Sequence, residues 1–292
     1  MNTFPKNYEN SALAWCFIKG SFLFFWISNM LIMLSDLTPV CFLPVGTCNL
    51  FCISSLFTPT GKILLSVVIV ISSIVYLLEK QMLLVTLIQF LLSCIIISHH
   101  ESNGMFHHAT IFSPIFAVQT LAYWQYHRNK NFDISYYRIQ YSIQMIAAAY
   151  TLAGIAKVSS SGMEWINSHH FFPLQVIKNF SFTYFGNGQH ETLVQGYQIA
   201  NYLQGHPMFI NILLSVSLFL ELFCFLALLS TKTRVIFGIG LLLMHTGIYF
   251  IMDIPFGVIA PIMLIFFLNP LYLIYKQLIN FIFIIKRKSD RI

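Results

Sequence analysis

The stretch ALAWCFIKGSFLFFWISNMLIML, residues 12–34, runs for 23 residues with Lys19 as its one charge. As a helix it is about 34 Å long, enough to cross the roughly 30 Å hydrocarbon core of a bilayer. Lys6 precedes it, but the run is too long for a signal-peptide core and lacks a small-residue cleavage site, so it reads as a retained helix. The rest of the chain agrees. With 57% hydrophobic and 9% charged residues among 292, and a mean hydropathy of +0.74, it lacks the polar surface that a soluble globule of this size needs. The net charge of +6 does not point to nucleic acid, because the basic residues lie in short loops and the C-terminal tail with no binding motif beside them.

Seven further apolar stretches follow at about 62–78, 82–98, 108–126, 136–157, 208–229, 234–252 and 254–274. The expected fold is therefore all-α: a polytopic integral membrane helical bundle of about eight transmembrane helices. The second and third share the turn Glu79-Lys80-Gln81, which predicts a tight helical hairpin. An even number of spans puts both termini on one side, and that side collects twelve of the sixteen basic residues, leaving Lys62, Lys157 and Lys178 opposite and Lys19 within the first span. The positive-inside rule then places both termini in the cytoplasm of a plasma-membrane protein. The organisation is a cytoplasmic segment 1–11, a transmembrane domain 12–275 with outer loops 35–61, 99–107 and 158–207, and a basic cytoplasmic tail 276–292.

This threading puts nine of the ten histidines on the outer side, with His127 facing the cytoplasm. Lys157, which closes the fifth stretch, shares that side. A lysine held at the rim of an apolar bundle is disfavoured as an ammonium and can serve as a general base; the alternative is a lysine that snorkels to headgroups. Ala149 and Ala153, one turn apart, predict a close approach by a neighbouring helix. Glu221, midway along the sixth stretch, needs a proton or a partner; structural glue is the expected role, with Lys19 as one conceivable partner. On the seventh stretch His245, Tyr249 and Asp253 recur every fourth residue and predict one polar face.

The histidine pairs His99-His100 and His107-His108 flank an Asn103-Gly104 turn. They are weak candidates for a metal, and no metal site is expected: hydrogen-bonding or proton-relaying imidazoles are the preferred reading. Cys41, Cys48 and Cys52 lie in the first outer loop, where one disulfide among the three is plausible and its pairing cannot be read from spacing. In the long loop, Phe171, Phe172, Leu174, Val176 and Ile177, then Leu193, Val194, Tyr197, Ile199 and Leu203, suit short helices lying on the membrane surface; an ordered loop packed on the bundle is the alternative.

Four stretches carry a family resemblance. Ala153-Gly154-Ile155-Ala156-Lys157 with Trp165 downstream, His107-His108, Leu220-Glu221-Leu222-Phe223, and His245 before Thr246-Gly247-Ile248 resemble, in this order, the membrane domain of the vitamin K-dependent gamma-carboxylase family, also called the horizontally transferred transmembrane (HTTM) family. His107 stands where that pattern has asparagine. The resemblance implies Lys157 as catalytic base, His108 and His245 as proton-transfer or oxyanion partners, and a reduced, vitamin K-like quinone as cofactor. It further implies that these three residues converge on one pocket opening away from the cytosol. No part of this sequence corresponds to the large extracytoplasmic domain with which the carboxylases hold a protein substrate. The loop cysteines with Ser54-Ser55-Leu56-Phe57 also resemble the sporulation-delaying protein B branch, whose members accompany maturation of small secreted peptides, although that branch departs from the lysine pattern. Two functions stand side by side: a lyase-like or peptide-modifying membrane enzyme, and a non-catalytic partner that binds, escorts or matures a secreted peptide. The partners in either case are the lipid bilayer and a secreted peptide or protein, not nucleic acid. A broken-helix carrier is disfavoured, because no paired Gly/Pro-interrupted spans are visible.

Overall fold

The computed structural model describes residues 12–40, 42–49, 54–104 and 107–289. Among them the chain is all-α, without a strand: α1 (Ala12–Asp36), α2 (Pro59–Leu77), α3 (Met82–Ser102), α4 (Phe112–Arg128), α5 (Ile134–Ser161), α6 (Phe172–Asn187), α7 (His190–Gln204), α8 (Pro207–Leu222), α9 (Thr231–Met252), α10 (Ile259–Met263) and α11 (Pro270–Ser289), with short 3-10 turns between several of them. Among the described residues five segments are long and apolar enough to cross a membrane: α1, α2, α3, α9 and the run Ile259–Ile279, which continues from α10 into α11. The pair α7 and α8 qualifies together but is bent by 96°. The stretches expected at 108–126 and 208–229 fold as the 17-residue α4 and as the 16-residue α8 followed by a 3-10 turn. The stretch at 136–157 lies within α5, whose first half is diluted by Arg138, Gln140 and Gln144.

The chain divides into two compact units, residues 1–145 with 264–292, and residues 146–263. In the first, an aromatic core forms where Phe22 and Trp26 of α1 meet Phe116 of α4, with ring centroids 5.1 and 5.2 Å apart, and Phe266 lies 5.2 Å from Phe22. Polar side chains inside an apolar bundle must be bonded. Trp26 Nε1 donates to Ser93 Oγ (2.8 Å), and Tyr76 donates to Gln119, which donates on to Ser142 (2.8 and 3.2 Å).

The expected α2–α3 hairpin is present. Its turn holds Glu79 and Gln81 at φ +54° and +48°, a left-handed conformation that costs a non-glycine residue energy. Glu79 is held there from three directions: its carboxylate accepts from Trp15 Nε1 (2.9 Å) and Lys19 Nζ (2.8 Å), and Arg138 lies 3.4 Å away. Lys19 also donates to the Leu77 carbonyl at 2.8 Å, so its ammonium belongs to this turn. At the other end of the bundle the α1–α2 connection lies over α3, with Leu43 N–H donating to Ser102 O and Thr47 N–H to Ser98 Oγ (2.9 and 3.2 Å).

In the second unit, α6 and α7 form the helices expected between 158 and 207. The turn at Gly188, with φ +72°, folds them into a hairpin. A Cβ at Gly196 would stand 2.5 Å from Phe180, so only glycine lets the two helices close to this distance. Val176, Phe180, Ala200 and Leu203 of the hairpin form one core with Ile210 and Leu214 of α8, and Ile251 and Met252 of α9 pack against it. Helices α8 and α9 run antiparallel: Ser217 contacts Met244, whereas Leu220, one turn further, contacts Gly240. Ser230 caps α9, accepting from Thr233 N–H while Thr233 Oγ1 accepts in return.

Candidate functional site

Helices α5 and α8 meet at Gly154, where a Cβ would stand 2.8 Å from the backbone nitrogen of Leu222. Gly154 makes this approach, whereas Ala153, one of the two small residues expected to make it, is exposed. The consequence lies one turn on. Lys157 Nζ sits 2.6 Å from both carboxylate oxygens of Glu221, the residue beside Leu222. The sequence suggested glue for Glu221 and Lys19 as its partner; Lys157 is the partner, while Lys19 is bonded to Glu79. The Glu221 side chain is 8% exposed and that of Lys157 27%. Two opposite charges this far out of water hold each other in place. The ammonium also lies 5.0 Å over the Trp165 ring, a cation–π contact that orients it further.

The pair stands at the edge of a cavity of about 770 Å³ that Lys157 and Trp165 line together with Ser168 and Gln175. The remaining wall is mostly apolar, drawn from α8 and α9 at Leu213, Leu220, Met244, Ile248 and Ile251, and from Phe256 beyond them, with Ser217 of α8 as its one hydroxyl. The buried Trp165 indole N–H has no acceptor among the described residues.

His245 is buried on α9 but does not line the cavity; Phe256, which does, covers its ring at 4.3 Å. Its Nε2 is 2.5 Å from the Tyr150 hydroxyl. Tyr150 was not singled out from sequence, although the signal was there: it lies seven residues before Lys157, two turns down the same face of α5. The polar face expected from His245, Tyr249 and Asp253 splits up. Tyr249 is 48% exposed, and Asp253 ends the helix in a left-handed conformation at φ +53°.

His107 and His108 open the 3-10 turn His107–Ile111 in the first unit, and their side chains lie outside the described residues. His99 knits the loop over α3. It stacks on Phe57 at 3.8 Å, its Nε2 is 2.7 Å from the Thr38 carbonyl, and its Nδ1 is 3.9 Å from the buried Cys48 sulfur. Among the described residues no group of three or more His, Cys, Asp or Glu side chains is arranged to hold a metal ion. Cys41 and Cys52 lie outside the described residues. No family model, curated protein or solved structure matches the chain.

Proposed function

We propose that this is an integral membrane enzyme that binds a lipid-soluble, hydroxyl-bearing ligand in the cavity of the second unit and removes its proton at the Lys157–Glu221 pair. The observation that carries this reading is a lysine on the wall of a large, mostly apolar cavity, closed at 2.6 Å onto the buried Glu221 behind it. An ammonium has no lone pair, so Lys157 becomes a base only by passing a proton to the carboxylate it touches. The pair as a whole can accept one proton, ending as ammonium and carboxylic acid. The oxyanion so formed then lies beside the ammonium, with the Trp165 N–H as a second donor. Apolar walls exclude water and strengthen both interactions.

The resemblance to the HTTM and vitamin K-dependent carboxylase family supports the same reading, since it independently selects Lys157, Trp165 and the Glu221 helix. A reduced quinone suits this lining: its ring would rest on the apolar wall and its oxygens would face Lys157, Glu221 and Trp165. When bound, such a group supplies an acidic hydroxyl and the electrons for reaction with oxygen. His245, with Tyr150, is placed in this reading as a proton-transfer partner behind Phe256, and His108 remains the third residue the resemblance selects.

For the membrane topology we propose eight crossings with both termini in the cytoplasm. The long helix α5, and α4 and α8 with their flanking turns, would add three to the five segments that qualify by length and hydropathy, and the distribution of basic residues favours this orientation.

The test is purification in mild detergent, untargeted mass spectrometry of co-extracted lipid, and oxygen uptake with an added short-chain hydroquinone. The wild type should retain a neutral amphipathic lipid and support uptake, and Lys157→Ala should keep the lipid and lose the uptake. A wild-type protein that carries no such lipid and shows no hydroquinone-dependent uptake would dispose of the proposal.

A further inference from the structure

Helix α9 is long and apolar enough to span the membrane, and α8 runs antiparallel beside it. Because α7 meets α8 at 96°, a membrane-crossing α8 leaves α7 lying along the membrane plane. Helix α6 folds back on α7 about Gly188, so it lies in that plane too. Its depth is fixed as well. The hairpin core packs against Ile251 and Met252, the last two residues of α9, which puts it at the level where that span ends.

One face of α6 packs into this core through Val176 and Phe180, with Pro173 buried on the same face. The opposite face carries Phe171, Leu174, Lys178, Phe182 and Phe185, spaced three or four residues apart along a single stripe. Its four apolar members are 62–83% exposed. Of the apolar residues that the sequence offers for a membrane face, Val176 and Leu203 are buried in the hairpin core and Phe172, Ile177 and Ile199 pack against it, while Phe182 and Phe185 stand on the exposed face instead. Exposed apolar side chains also stand at the α7–α8 bend, Tyr202 and Met208, and along α8 in the row Phe209, Ile212, Phe219 and Phe223. Such a row on a membrane-crossing helix faces lipid.

We infer that the α6–α7 hairpin is a membrane-surface element whose Phe171, Leu174, Phe182 and Phe185 insert among the acyl chains of one leaflet. Lys178, in the middle of the stripe, extends its ammonium back to the phosphate headgroups while its methylene stem stays in the apolar layer. The occupant of this face is bilayer lipid because the stripe lies at the level where the α9 span ends, on a hairpin packed against α8, whose own exposed row is apolar. Phe171 belongs to both surfaces: it stands on the stripe and also lines the cavity beside Lys157. The cavity mouth therefore opens at the leaflet interface, and a lipid-soluble ligand enters sideways past Phe171. This entry route rests on the proposed function; the insertion of the hairpin rests on the proposed crossing by α8 and not on the chemistry.

The experiment places a photoactivatable benzoylphenylalanine at Phe182 or Phe185 of the full chain in phospholipid nanodiscs, with Glu191 as the exposed control on α7. Irradiation should add the mass of one phospholipid at 182 and 185, with loss of that adduct at 191. A covalent dimer or an adduct to another protein at these positions would overturn the inference by showing that protein covers the stripe. Equal lipid yields at all three positions, or none, would overturn it by showing that the stripe is no closer to lipid than the polar surface. None of these outcomes depends on oxygen uptake, so failure here is distinct from failure of the catalytic reading.

Discussion

If the Lys157–Glu221 pair is a dry element of the fold, its two charges must be strongly coupled, and a double-mutant cycle measures that coupling. At 2.6 Å and an effective dielectric near 20 the attraction is about 6 kcal/mol. Most of this offsets desolvation of the two ions, which leaves a net coupling of about 2 kcal/mol. Lys157→Met should be the worse single change, because it strands a carboxylate that is 8% exposed, whereas Glu221→Leu leaves an ammonium that is 27% exposed and still rests on Trp165. Breaking a buried pair costs about 3–5 kcal/mol. For a chain of this size that corresponds to a fall of roughly 10 °C in unfolding midpoint. The double variant Lys157→Met/Glu221→Leu removes both charges together and should be less destabilised than the sum of the two single variants by about 2 kcal/mol. The assay is thermal unfolding in nanodiscs followed by tryptophan fluorescence at one fixed scan rate. If the single effects simply add in the double variant, with a coupling below about 0.5 kcal/mol, the pair is screened by water and the site as described does not exist.

Other perturbations read neighbouring parts of the structure. Gly154→Leu forces side-chain atoms against the α8 backbone at Leu222 and should cost about 1–3 kcal/mol, separating Lys157 from Glu221 and removing ligand turnover with both residues intact; retained turnover would show that the close approach is dispensable. Gly247 lines the cavity, and a Cβ there meets nothing within 4 Å, so Gly247→Leu should leave the unfolding midpoint unchanged while lowering the co-purified lipid measured by mass spectrometry. Tyr150→Phe deletes the bond to His245 and should cost about 1–2 kcal/mol in the same unfolding assay. Burial pushes the Glu79 carboxyl up, but the Lys19 hydrogen bond, the Arg138 and Lys19 charges and the Trp15 N–H outweigh it and hold the group below its usual range. Its contribution is thus fully present above the unfolded value of about 4.3 and is lost as pH falls through the lower folded value. Because its side chain is 41% exposed, the effect stays within about 1 kcal/mol. Midpoints measured from pH 5 downward should fall in the wild type, and Glu79→Gln should lack that acid-induced component.

How far the architecture was legible depended on how local its cause was. Helices α1, α2, α3 and α9 follow from apolar runs long enough to leave the chain no other way of satisfying its backbone in lipid. The α2–α3 turn was visible because Glu79, Lys80 and Gln81 interrupt one such run. Helix α5 gave a weaker signal, since polar residues line its first half, and the 96° bend before α8 could not be read from His206-Pro207 alone. The site was legible by residue type and not by partner. An isolated mid-helix Glu221 announces that it must find a cation, but Lys19 and Lys157 both meet that need on composition. What separates them is packing: Gly154 removes the one side chain that would hold α5 away from α8, and it does so a single turn from Lys157. The glycine in Ala153-Gly154-Ile155-Ala156-Lys157 thus has a physical reason to stand where it does. Any helix that must bring a lysine onto a carboxylate of its neighbour needs a gap about one turn away, so a small residue three or four positions from an intramembrane lysine, together with a lone acidic residue on another apolar helix, points to the pair before coordinates do.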